Sequence, residues 1–382
     1  MSGMAVPRRV LVGTYSQDLG FVQGKGDGIY LLEVDLEGVL KLDAAKPCLG
    51  ADVFANPTYL ASAGSTVLAV DERTDLAGGG RVAALSFDGA SQTLRVVGAP
   101  VASGDSSSCH VIAGAKHAIV ANYCGGEAGA GSVAAFASGD SGGLGDAVKV
   151  ALPPPGTAVT FPGAVADRQG KSHAHMVLLS RSGRTVLVMD LGADVVWRVP
   201  YDSTNAAAPL GTAAVACTAE PGAGPRHAVL HPTKDVLYVL NELACTMSAF
   251  VTDSDGVPAA TAPFATVSTV DAGTVASGAA VRVHPAGGFV YCSNRVVGGE
   301  GTVACFAVDE TGAPLTASRV LTLTGGRVPR DINFVLEARL LLAANQDSDS
   351  IVAFRVDAQT GALTNVASVF CPTPVCFCEL DA

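Results

Sequence analysis

A chain of 382 residues that is 49% apolar but only 5% aromatic has ample material for a buried core, built mostly from Val, Ala and Leu. Its net charge of −11 excludes non-specific attraction to nucleic acid or to an anionic membrane surface, so an anionic ligand would need a local cluster of Arg or His. No segment approaches the ~20 apolar residues of a membrane span, and Met1–Arg9 has neither the apolar run of a secretory signal nor an Arg/Ser-rich amphipathic pattern, so the cytoplasm is the expected compartment.

Seven times along the chain an apolar strand ends in Thr, Asp or Asn and a second apolar strand follows after a short gap. The first strands end at Thr14, Asp71, Asn122, Asp190, Asn241, Asn294 and Asn345. The second strands run through 28–35, 81–88, 132–137, 195–200, 247–252, 302–308 and 350–357. The endings recur at intervals of roughly 50 to 57 residues, with one longer interval between Asn122 and Asp190. Such a period, with several strands per unit, predicts an all-β, seven-bladed β-propeller, read as one domain spanning residues 1–382. The long interval falls in Ser138–Ser172, a Gly/Pro/Ala-rich stretch that reads as an extended loop between blades, a rim or lid over one mouth of the channel. Asp35–Gly38, Asp255-Gly256, Asp309–Gly312 and Asp357–Gly361 read as hairpin turns toward the outer edge of a blade. The apolar run Val10-Leu11-Val12 and the tail Val369-Phe370 with Val375-Cys376-Phe377 are expected to share a blade and close the ring.

If the first strands are innermost, the residues just past their ends surround one channel mouth: Tyr15, Glu72, Tyr123, Leu191, Glu242, Arg295 and Gln346. The segments leading into those strands add Cys109-His110, His173-Ala174-His175, Arg226-His227 and Arg330-Asp331, a mixed acidic and basic set. The Asn, Asp and Thr endings themselves read as turn residues that bond the backbone. The ten cysteines are scattered through strand patterns and read as buried free thiols; the tail Cys371, Cys376 and Cys378 lacks zinc-ligand spacing, and no metal is expected. Gly139-Asp140-Ser141-Gly142-Gly143 copies a serine-protease phrase inside a Gly-rich stretch and carries no nucleophile reading for Ser141. Gly170-Lys171-Ser172 is no phosphate loop, because Val165 stands where that motif needs Gly. No dinucleotide motif is present, and no cofactor is expected.

Several phrases resemble the seven-bladed propeller lactonases, which include bacterial 6-phosphogluconolactonases of the propeller type and the fungal carboxy-cis,cis-muconate lactonizing enzyme. They are Gly13-Thr14-Tyr15, Asn56-Pro57-Thr58-Tyr59-Leu60, Ala121-Asn122-Tyr123, His173-Ala174-His175, Gly224-Pro225-Arg226-His227, Asn241-Glu242, Ser293-Asn294-Arg295, Pro329-Arg330-Asp331 and Asn345-Gln346-Asp347. The resemblance implies that His175, Arg226, Glu242 and Arg295 occupy the family's proposed active-site positions. A carboxylate and an imidazole then supply acid–base capacity as catalytic groups, while guanidiniums bind an anion and stabilise developing negative charge. Arg226, Arg295, His110, His227, Tyr15, Gln346 and Arg330 are the candidate substrate-binding residues. Where the family carries an acidic residue ahead of the sixth blade's inner strand this chain has Ala280, which leaves the expected pocket more electropositive. The expectation is a cofactor-independent lactonase for a small anionic sugar lactone such as 6-phosphogluconolactone. A carboxymuconate cycloisomerase and a non-catalytic binding platform stand as alternatives.

Overall fold

The computed structural model describes residues 7–73, 79–125, 129–139 and 142–380. Asp140 and Ser141 of the protease-like phrase lie outside these residues, as do the first six residues of the N-terminal stretch. Seven antiparallel sheets follow one another, six of them formed by strands consecutive in the chain. Blade three is representative: Ser106–Ala113, His117–Cys124, Ser132–Ser138 and Leu144–Ala151 pair in that order. The innermost strands of blades two to seven are Pro57–Ala63, Ser106–Ala113, Ala174–Leu179, Pro225–Leu230, Ala276–Val283 and Pro329–Val335, and each packs against the next. Apolar side chains fill the wedges between neighbouring blades, as Ile119, Val133, Val188 and Trp197 do between blades three and four.

Blade one joins the two ends of the described chain. Pro374–Glu379 is its innermost strand and pairs with Arg8–Thr14, with Leu11 opposite Cys378 and Val12 opposite Phe377. The same strand touches both Pro329–Val335 and Pro57–Ala63, which completes the circle. A Cβ on Gly13 would run into the Pro57 carbonyl oxygen and the Cys376 sulfur, so only glycine lets blade one press this closely on blade two. Val369 and Phe370, expected in this blade, instead end the outermost strand of blade seven, Leu363–Phe370. The chain leaves each blade at its outer edge and crosses to the axis of the next, so the crossing falls at Cys371–Thr373.

Two other expectations shift. The strands that end in the Asn, Asp and Thr markers are second in each blade, not innermost. A second strand has a neighbour on both sides, so the six residues of Val236–Asn241 are all buried and read as the cleanest apolar run. The innermost strands are polar and irregular where they line the axis, and this hides them. Likewise Leu144–Ala151, inside the stretch read as loop, is the outermost strand of blade three; it is half exposed and its apolar pattern is weak. The irregular segment is 152–173. The markers lock blade tops: Asn122 accepts from Ser108 Oγ and donates to Ser132 Oγ and the Ser103 carbonyl, while Asn294 donates to Thr302 Oγ1 and the Thr269 carbonyl, and Asn345 to Ser350 Oγ and the Thr324 carbonyl.

Candidate active site

Each innermost strand breaks register at the same level, opposite its marker. Pairing passes from Ala174↔Asp190 to Met176↔Met189 and leaves His175 without an opposite residue. In the same way Arg226 is skipped between Pro225 and His227, Arg330 between Pro329 and Asp331, Cys109 between Ser108 and His110, and Thr58 between Pro57 and Tyr59. A bulge adds one residue to a strand and turns its side chain out of the alternation. Here the bulged residues of different blades converge: Thr58, Cys109, His175, Arg226, Arg330 and Val375 all line one small chamber on the axis. In blade six the break spans Gly278 to Val281, so Ala279-Ala280 take this place. Ala280 is buried in the apolar layer with Tyr291, Val303 and Ile332. The carbonyl of Ala279 accepts a hydrogen bond from Arg226 Nη1. A backbone oxygen therefore meets the arginine in the blade where the resemblance implies a carboxylate and this chain has Ala280.

Above the chamber opens a cavity of about 820 Å³, lined by His175, Glu242, Arg295, Arg168, Glu72 and Arg330 among others. Glu242 is its electrostatic centre. Arg226 Nε lies 2.9 Å and Arg295 Nη2 3.0 Å from Glu242 Oε2, and Arg168 Nη2 donates to Oε1 at 2.7 Å. Arg295 also donates to the Gly278 carbonyl at 2.9 Å. His175 stands beside this cluster, buried, with Nδ1 lacking a hydrogen-bond partner among the described residues. His175, Arg226, Glu242 and Arg295, far apart in sequence, thus meet at one end of the ring, joined there by Arg168 from the loop.

The other candidates divide. Arg330 lies with its Nη2 3.7 Å from Glu72 Oε2, and its guanidinium carbon is 5.1 Å from the centre of the Tyr15 ring. Tyr15 is buried behind this pair and donates its hydroxyl to Glu72 at 2.7 Å, so it supports the wall without forming it. Gln346 lines the cavity and donates to Asp347 at 2.8 Å. His227 borders the lower chamber, 5.5 Å from His175 between ring centres, and His110 lies deeper, 5.8 Å from His227 and against Tyr59 at 3.9 Å. The structure therefore brings Glu242, His175, Arg226 and Arg295 together and sets His110 and Tyr15 back from the cavity wall. Arg168 was not foreseen, since a lone Arg in a Gly/Pro-rich loop carries no periodic signal. Glu72 and Tyr123 were visible only as members of the ring past the markers.

Charge sets what these groups do. Burial would raise the Glu242 carboxyl, but Arg295, Arg226 and Arg168 outweigh it and hold it well below the usual carboxylate range, so it is an anion. Burial, reinforced by Arg226, keeps the His175 imidazole well below its ordinary range and therefore neutral at pH 7. Burial and Arg295 lower Arg226 to about 9, which leaves it cationic. The site has a guanidinium excess inside a protein of net charge −11.

A ring of seven blades with a buried carboxylate, an imidazole and convergent guanidiniums at one mouth has counterparts of known class. The profile of the family described as "Lactonase, 7-bladed beta-propeller" matches residues 9–378, and the chain belongs to that family. It is 31% identical over 369 residues to the 6-phosphogluconolactonase of Bacillus subtilis strain 168, covering 96% of each chain. The periplasmic gluconolactonase of Pseudomonas aeruginosa superposes with a TM-score of 0.83 at 25% identity, over 98% of this chain and 99% of its own. A protein from Lactobacillus plantarum gives a TM-score of 0.80 at 25% identity, over 98% and 100% of the two chains. The protein is thus an enzyme of the lactonase class, a hydrolase. These relatives do not favour the cycloisomerase or the non-catalytic alternative.

Proposed function

We propose that the enzyme hydrolyses a small anionic sugar lactone, 6-phosphogluconolactone being the substrate its cavity suits best. The observation that supports this is the pairing of a neutral buried imidazole with a guanidinium-rich wall. His175 Nδ1, unpartnered and buried, is the group we assign as base, because Glu242 is held as a weakly basic anion by its three arginines. Water attacks the lactone carbonyl carbon and gives its proton to His175. The tetrahedral oxyanion is stabilised by Arg226 and Arg295, which Glu242 holds side by side. Collapse breaks the bond from that carbon to the ring oxygen, which takes the proton back from the imidazolium, and leaves a free hydroxyl and a carboxylic acid that releases its proton to solvent as a carboxylate. Burial is the main cause of the low His175 imidazole and Arg226 adds to it; a bound substrate anion offsets the arginine part and so strengthens the base. Arg330 and Gln346 face the sugar, and His227 and His110 back His175 from below. We place the enzyme in the cytoplasm, a reading supported by its ten free thiols, all but Cys124 buried.

The test is a pH-stat assay on freshly prepared 6-phosphogluconolactone, with spontaneous opening measured in parallel. Wild type is expected to accelerate acid release, and His175→Asn to lose about 10²- to 10⁴-fold in kcat. No acceleration by wild type over the spontaneous rate rejects the reading. The cycloisomerase would instead announce itself as ultraviolet loss of carboxymuconate.

A further inference from the structure

The loop 152–173 delivers one side chain to the cavity, Arg168, whose only part in the chemistry above is to help hold Glu242 as an anion. Arg168 Nη2 meets Glu242 Oε1 at 2.7 Å, while Oε2 is already shared by Arg226 and Arg295. Two features separate it from those arginines. Its side chain is 40% exposed, against 3% for Arg226 and 15% for Arg295. Its backbone is nevertheless fixed: the neighbouring Gln169 is fully buried, donates to the Leu191 carbonyl at 3.0 Å and accepts from the Val165 amide at 3.1 Å. Arg168 is thus a long cationic arm on a rigid base, projecting into the cavity beside Tyr123.

We propose that Arg168 selects anionic lactones: it covers Glu242 in the empty enzyme and transfers its guanidinium to the phosphate of the entering substrate. The reading rests on the lactonase function proposed above and names the residue that recognises the anion. The exchange follows from charge and geometry. Glu242 is a monoanion that keeps two buried guanidiniums after Arg168 departs, so its charge stays compensated. A phosphate offers up to two negative charges and a planar pair of oxygens matched to the guanidinium fork. Arg168 itself is 40% exposed, whereas Glu242 is 5% exposed, so it is the guanidinium that is free to swing from the pair toward an entering anion. The other cations of the wall are committed elsewhere: Arg330 to Glu72 and the Tyr15 ring, Arg327 to the Asp347 carbonyl at 3.0 Å.

The experiment compares kcat/KM for 6-phosphogluconolactone with that for unphosphorylated glucono-δ-lactone, in wild type and Arg168→Ala. In parallel, calorimetry measures binding of 6-phosphogluconate and gluconate. Loss of one charge-assisted hydrogen-bonded contact is expected to lower the phosphorylated-to-neutral ratio about ten- to a hundredfold, and the binding preference by a similar factor. Arg168→Lys, which keeps the charge without the fork, should fall between the two. A ratio and a binding preference that change less than fivefold in Arg168→Ala overturn the assignment. So does a loss of discrimination in Arg327→Ala that is absent from Arg168→Ala. If wild type hydrolyses neither lactone, the proposed function fails, while the calorimetric preference still decides the role of Arg168.

Discussion

Replacing Glu242 with Gln keeps the shape of the side chain and removes its charge. Three cations then lose their counter-ion, but not equally. Arg168 is 40% exposed and can turn to water, so the loss of its partner leaves no buried cation there. Arg226 and Arg295, with side chains 3% and 15% exposed, have no such recourse. Removing one partner of a buried ion pair costs about 3–5 kcal/mol because the remaining charge is left buried, and Glu242→Gln is expected to fall in that range. Urea unfolding followed through Trp197 measures it directly. That residue is the single tryptophan, fully buried, with its indole donating to Asp190 at 2.8 Å. Adding Arg226→Met to Glu242→Gln should recover part of the loss, since the orphaned cation is gone. A Glu242→Gln protein within 1 kcal/mol of wild type, with no recovery in the double variant, would refute the claim that this carboxylate holds the arginines together.

Acid stability tests the histidine column. His110, His175 and His227 are all lowered well below their ordinary range, first by burial and then by Arg282 for His110 and by Arg226 for the other two. Below about pH 6.5 the unfolded chain takes up protons that the folded one refuses, so this stabilisation is complete above that pH and fades as it falls. Wild type should therefore lose more Tm than His110→Phe between pH 7.5 and 5.5, and parallel curves would contradict it. Arg226→Lys keeps a cation but cannot satisfy both Glu242 and the Ala279 carbonyl; kcat should drop about 10²-fold, and a change confined to KM would argue against oxyanion contact. Deleting residues 372–382 removes the innermost strand of blade one and leaves Arg8–Thr14 as an open edge. Size-exclusion chromatography should show aggregates, and a soluble monomer would count against closure by this pairing.

The blade count was legible because the marker strands are the most thoroughly buried, and burial on both sides leaves an apolar run that ends at a polar lock such as Asn122 or Asn294. The same property misplaced them, since the axis-lining strand is where polar residues and irregular backbone gather. The strand pattern places His175, Arg226 and Glu242 around one mouth and the resemblance singles them out, but their convergence has a local cause that no single residue announces. The register break at Ala174/Met176 and its counterparts is a relation between two strands. Arg168 was invisible for a different reason: its role is fixed by the turn that anchors Gln169 and by where the loop 152–173 passes over blade five's Glu242.

The pairing of Pro374–Glu379 with Arg8–Thr14 also has a meaning in time. Arg8–Thr14 comes before its axial partner in the chain and all the other blades lie between them, so until Pro374–Glu379 has been made this strand keeps one unpaired β-edge. The mouth of the ring, to which Arg330 contributes, can be circular only once Pro374–Glu379 has docked between its two neighbouring blades. A stalled or prematurely released fragment would carry His175, Arg226 and Glu242 on an arc that has not yet become a vessel.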